Sequence, residues 1–216
     1  MDLIIATSPI IQENFIDKAI SSISHIPFSK RFIICDGLPE ENAKPEIIEK
    51  YSEYKKRLKN DYPDYCVVES KDHRWFIGGI RDILEKCNSE WLFCIQHDVI
   101  APYLCDPYKI LEQKPDDAKI LFYPHKKLEC PTHWFKMITD CGDFQKTNSF
   151  CERVFFFEAE HMRKLLKKYN HPKFIDIIGY NQSKRKNTDL NELCKIWRGY
   201  SIKGEIHRHL VGKTLR

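Results

Sequence analysis

Short apolar runs along this chain alternate with longer stretches in which apolar residues recur every three or four positions. Residues 3–6 form the first apolar run, and the polar Thr7, Ser8 and Pro9 that follow predict a buried strand opening into a loop. From 14 to 23, Phe15, Ile16, Ala19, Ile20 and Ile23 fall at helical spacing. Arg31–Cys35 repeats the strand pattern and stops at Asp36 and Gly37. Residues 45–58, charged but with Ile47, Ile48, Tyr51, Tyr54 and Leu58 on one side, predict a second helix, and 65–68 a third strand. The stretch from Trp75 to Pro102 organises the rest. It reads as a Gly-Gly turn at Gly78 and Gly79, an amphipathic helix carrying Ile80, Ile83, Leu84 and Cys87, a polar stop at Asn88 and Ser89, and an apolar strand over 91–95. That strand ends on Gln96, His97 and Asp98. A buried strand cannot carry three such residues into the core unpaired, so they emerge at its carboxyl end, where open α/β sheets bind ligands.

Strands each followed by a helix describe βαβ units, hence an α/β fold with a largely parallel sheet in a single domain. Neither common phosphate loop is present: the loop after the first strand holds no glycine, and no GxxxxGK followed by Ser or Thr occurs. Beyond Asp98 the pattern predicts a helix over 104–113, a strand over 119–123 and a long polar stretch over 124–152 with His125, His133 and Trp134. A strand over 153–157, a basic amphipathic helix over 159–169 and a last helix over 190–197 follow, then a tail over 204–216 bearing His207 and His209.

Composition narrows the function classes. With 216 residues and a net charge of +4 from mixed charges, the chain leans only mildly towards anionic partners and is not marked as a nucleic-acid binder. Nine cysteines, scattered and never spaced as CxxC, suggest neither a disulfide framework nor a zinc finger, and point to a reducing, cytoplasmic compartment. The amino terminus lacks a basic leader, and no stretch approaches twenty apolar residues, so any membrane-bound substrate is expected to be reached by peripheral contact.

In order, ATSPI, ICDG and GGIRDILEKCNSEWLFCIQHD resemble the nucleotide-sugar-binding half of GT-A fold glycosyltransferases, and among them the inverting family-two type. The resemblance covers residues 3–100 best, and NTDLNELCKIWRGYSI looks like the acidic segment of that family with its following helix and Gly-Tyr turn. It implies a nucleotide-binding half over 1–100 and an acceptor-binding half over 101–216. Thr7, Ser8, Asp36, Arg81 and His97 would then hold the nucleotide. Asp98, the one acid left in the strand-end motif, would bind Mn²⁺ or Mg²⁺, with His207 or alternatively His209 as a second ligand from the tail. Asp189 is the first choice for the catalytic base, with Glu158 and Asp176 as alternatives, because the family's preceding Glu is Thr188 here. Trp134 and Phe135 would stack on an acceptor sugar. The function implied is transfer of a sugar from a nucleoside diphosphate donor, UDP favoured, to a hydroxyl of a glycan or glycoconjugate. A nucleotidyltransferase and a non-catalytic nucleotide-sugar-binding module are the alternatives, and the chain's length leaves room for it to be one part of a longer multidomain polypeptide.

Overall fold

In the computed structural model, which describes residues 1–8, 15–102, 105–123, 137–147, 153–168, 198–203 and 208–209, β1 (Asp2–Thr7) is buried at every position. A strand covered on both faces must be so. It pairs in parallel with β2 (Arg31–Cys35) on one side and β4 (Trp91–Gln96) on the other, and β3 (Cys66–Glu69) adds beyond β2. The register sets Thr7 opposite Cys35 and Ala6 opposite Gln96, so three strands end together. The crossovers are α1 (Phe15–Ile23), α2 (Pro45–Asp61) and α3 (Trp75–Leu84), and α2 opens on Pro45, whose missing N–H costs nothing in a first turn. A 3₁₀ turn, Glu40–Asn42, precedes α2.

The second half supplies β5 (Val99–Ile100), α4 (Pro107–Gln113), β6 (Ile120–Phe122), β7 (Met137–Cys141), β8 (Phe144–Thr147), β9 (Val154–Glu158), α5 (Ala159–Lys168), β10 (Gly199–Ile202) and β11 (Arg208–His209). The main sheet runs β3-β2-β1-β4-β9-β6-β10-β8-β7, with β9 and β8 opposed to the rest. A separate two-stranded ribbon pairs β11 with β5. Alternation along the strands divides the core. Leu3, Ile5, Ile33, Phe93, Ile95 and Phe156 face α1 and α2, while Ile4, Ile34, Leu92, Cys94, Phe155 and Phe157 face α3 and α5.

Several expectations are corrected. Gly78 and Gly79 lie inside α3 rather than in a turn before it. The reason is packing: a Cβ on Gly79 would stand 2.3 Å from Cγ2 of Ile34, so glycine lets α3 settle on β2. α3 ends at Leu84, and Cys87 is buried just beyond it. The stretch 124–152 contains the hairpin β7–β8, which turns at Gly142 with φ +69°, a backbone that L side chains rarely adopt. Gly199 and Tyr200 belong to β10 instead of a turn. The expected helix over 190–197 lies outside the described residues.

Candidate functional site

The carboxyl edge of β2, β1 and β4 gathers five of the residues singled out above: Asp36, Thr7, Ser8, His97 and Asp98. Adjacent strands lie about 4.8 Å apart, so Asp36 and His97, flanking β1, span roughly 10 Å. The Thr7 hydroxyl donates to Ile34 O at 2.8 Å, which leaves only its lone pairs for a ligand. Its neighbour Cys35 is no nucleophile. Burial pushes that thiol up to about 11, against a smaller opposing effect of the Thr7 hydroxyl. At His97 the backbone N–H donates to Ala6 O at 2.9 Å and Nδ1 lies 3.2 Å from the same carbonyl. A carbonyl can only accept, so Nδ1 carries the proton and, in the neutral ring, Nε2 is the acceptor.

Asp36 is buried and turned into the protein. Its Oδ1 accepts from Gly37 N and Arg74 N, each at 2.9 Å, and its Oδ2 lies 2.8 Å from His73 Nδ1. That imidazole also approaches Gly37 O at 3.0 Å, so its proton is shared between two acceptors. Asp36 O accepts from Tyr51 at 2.8 Å. The two loops after β2 and β3 are thus clamped together, closely enough that a Cβ on Gly37 would fall 2.3 Å from the Asp72 carbonyl carbon. Asp36, expected to hold the nucleotide, thus turns both carboxylate oxygens to protein donors. His73 and Arg74 were missed by sequence reasoning. Their signal was a His-Arg pair immediately before a helix, which has no fixed meaning without knowledge of what it meets. Arg74 pairs with Asp82 and donates to Ser70 Oγ at 2.9 Å.

The tail reaches this edge through its backbone. β11 sets His209 opposite Val99, the residue after Asp98. A half-buried carboxylate beside an imidazole-bearing strand suits a hard or borderline divalent ion in donor type. Among the described residues no group of three or more His, Cys, Asp or Glu converges. An ion held by Asp98 would have to draw the rest of its ligands from phosphate oxygens, water or residues outside the described ones.

Two further candidates lie away from this edge. Arg81 lies two turns down α3 and donates to Leu166 O of α5 at 3.3 Å, while Arg163 of α5 donates to Leu84 O of α3 at 2.8 Å. Each arginine satisfies an orphan carbonyl at the other helix's end, which takes Arg81 away from the carboxyl edge. Glu158 sits opposite Trp91 at the amino end of β4, roughly 16 Å of strand from Gln96, and pairs with Lys119 at 2.7 Å. It is not brought to the site. Asp189, Asp176, His207, Trp134 and Phe135 lie outside the described residues.

No family model and no curated protein matches the chain. Solved structures do. HddC from Yersinia pseudotuberculosis aligns with TM-score 0.56 and 12% identity over 96% of this chain and 92% of its own, and its form complexed with GMP-PN aligns at TM-score 0.56 and 11% identity over 97% and 93%. CMP:2-keto-3-deoxy-manno-octonic acid synthetase complexed with CTP aligns with TM-score 0.53 and 8% identity over 94% and 90%. The chain shares their fold. A mannosyltransferase, PcManGT from Pyrobaculum calidifontis in complex with GDP-Man and Mn²⁺, aligns more loosely, with TM-score 0.49 and 12% identity over 98% of this chain and 57% of its own. The fold class expected from the sequence stands: a single α/β domain with a mostly parallel, Rossmann-like central sheet flanked by helices.

Proposed function

We propose that this protein is a glycosyltransferase that binds a nucleoside diphosphate sugar at the carboxyl edge of β2-β1-β4 and transfers the sugar to a hydroxyl acceptor with inversion. The observation that carries the reading is the convergence of Thr7, Ser8, His97 and Asp98 on one sheet edge, where open α/β folds place their ligands. Solved relatives in fold hold GMP-PN and CTP, which supports a nucleotide at this edge. UDP is the favoured nucleotide from the resemblance. Thr7 and Ser8 would accept hydrogen bonds from base or ribose, with the Asp36–His73 clamp fixing the loops around them. Asp98, with His209 or His207 from the tail, would hold Mn²⁺ or Mg²⁺, which when bound neutralises charge on the leaving diphosphate. Asp189 is proposed to take the acceptor's proton, with Asp176 as the alternative, and Trp134 to meet the acceptor glycan.

A nucleotidyltransferase is the second reading, favoured by the synthetase alignment. It is disfavoured by the sequence at the end of β1 and after it, which contains neither glycine nor a basic residue from Thr7 to Gln12. One pair of assays separates the two. Incubation with a UDP-sugar and Mn²⁺ should release UDP, whereas incubation with a nucleoside triphosphate and a sugar 1-phosphate should release no pyrophosphate. Asp98→Ala should lower the first activity about a hundredfold or more, as loss of charge stabilisation at a leaving group does. Pyrophosphate release without UDP release, or an activity indifferent to Asp98, would reverse the assignment.

A further inference from the structure

Arg153 stands immediately before β9 and its carbonyl accepts from Gln96 N at 2.9 Å, so it adjoins the strand end that carries Gln96, His97 and Asp98. Its Nη1 is wholly buried and has no hydrogen-bond partner, and among the described residues no carboxylate forms an ion pair with it. Alternation assigns its face. Val154 and Phe156 pack towards α1 and α2, while Phe155 and Phe157 pack towards α3 and α5. Arg153 therefore shares the face of Phe155, which meets Phe76 of the first turn of α3 at a centroid distance of 5.7 Å. Of the acids near that turn, Asp36 is engaged with Gly37, His73 and Arg74, and Asp82 with Arg74.

A guanidinium nitrogen taken out of water with nothing to bond is unfavourable, and an anion reverses that. We infer that Arg153 binds the diphosphate of the nucleotide ligand, supplying from the protein a positive charge at the edge where Gln96 and His97 stand in place of carboxylates. The inference rests on the nucleotide reading for the identity of the anion. A guanidinium suits it because its fork can donate to two phosphate oxygens at once. The consequence is that nucleotide binding persists when divalent ions are removed.

Calorimetric titration in chelator tests this with UDP, GDP, uridine and inorganic pyrophosphate, on the wild type and on Arg153→Gln, Arg153→Met and Arg153→Lys. Arg153→Gln and Arg153→Met should weaken UDP or GDP binding roughly 10- to 100-fold, as loss of a charged hydrogen-bond donor does, and leave uridine binding unchanged. Arg153→Lys should fall between. Melting temperature should hold or rise in the Gln and Met variants, since a buried donor without a partner is removed. A structural arginine would show the reverse, so variants that melt earlier or fail to fold overturn the inference. Wild-type UDP affinity in Arg153→Gln overturns it while leaving the nucleotide reading intact. Pyrophosphate binding that depends on Arg153, without binding of any nucleotide or nucleoside, keeps the anion site and removes the nucleotide reading. Absence of all binding removes both.

Discussion

Asp36 shows how one residue serves a site without pointing into it. A carboxylate at a strand end followed by Gly is legible in sequence as a turn former, and the resemblance adds a role towards nucleotide. Its oxygens are instead aimed at Gly37 N, Arg74 N and His73, with only 5% of the residue exposed. Charge-assisted bonds of this kind contribute about 1.5 to 3 kcal/mol each and do not add fully. Asp36→Ala should therefore cost about 3 kcal/mol or more in folding free energy, measured as a shift of the urea midpoint at constant slope. Asp36→Asn should fall short of rescue, because an amide nitrogen turned to His73 meets a donor. A variant as stable as the wild type would show that the loops are held by other contacts. The residue types at the candidate edge were thus readable, but their directions were not: whether Asp36 or Arg81 faces ligand or protein depends on partners 38 and 85 positions away in sequence.

At the level of elements, the strand and helix patterns of the first hundred residues were readable because β1, β2 and β4 are buried on both faces and each helix has one apolar side. What sequence hid was close approach. Two adjacent glycines read as a turn, yet α3 continues through them, since Gly79 presses on Ile34 of β2. The second half was harder, because β8 carries Gln145 and Lys146 and β10 carries Ser201 in place of clean apolar runs. The Gly79 contact gives a test. Alanine gains about 1 kcal/mol in helix propensity, but its Cβ would lie 2.3 Å from one Ile34 carbon and 2.9 Å from another. Overpacking of this kind costs about 1 to 3 kcal/mol, so Gly79→Ala should be net neutral to destabilising by up to about 2 kcal/mol. Ile34→Ala alone should cost more, as removal of a buried Ile does. In combination the two should cost less than their sum, and a double-mutant cycle with no coupling would mean that helix and strand are not in contact there.

Across the whole molecule, charge is arranged to tie down the outer strands rather than to form one field. Glu69, at the end of edge strand β3, meets Lys55 at 2.7 Å and Lys59 at 2.6 Å from α2. Near the other side of the sheet Asp117 meets Lys146 of β8 at 2.6 Å and accepts from Tyr200 of β10. The lysines hold the Glu69 carboxyl below its usual range, and Lys146 with Tyr200 does the same for Asp117. Groups with depressed folded-state values stabilise the fold fully above their unfolded values, about 4.3 for Glu and 3.9 for Asp, and lose that contribution as pH falls through the folded values. The lysine partners move the other way: Lys59 and Lys146 are raised by the same contacts, so their share is full below about 10.4 and lost above it. Melting temperature should therefore hold from about pH 5 to 9 as far as these pairs are concerned, and fall below about pH 4. Glu69→Gln isolates one of them. Because the pair is partly exposed, the variant should lose only about 1 kcal/mol or less at pH 7, and the loss should shrink in high salt. Its curve should converge on the wild-type curve as pH falls through the lowered folded-state value of Glu69, below which the carboxyl is protonated in both folded and unfolded chains. If the two curves stay parallel from pH 7 to pH 3, the lysines do not act on that carboxylate, and the attachment of α2 to β3 rests on its apolar face alone.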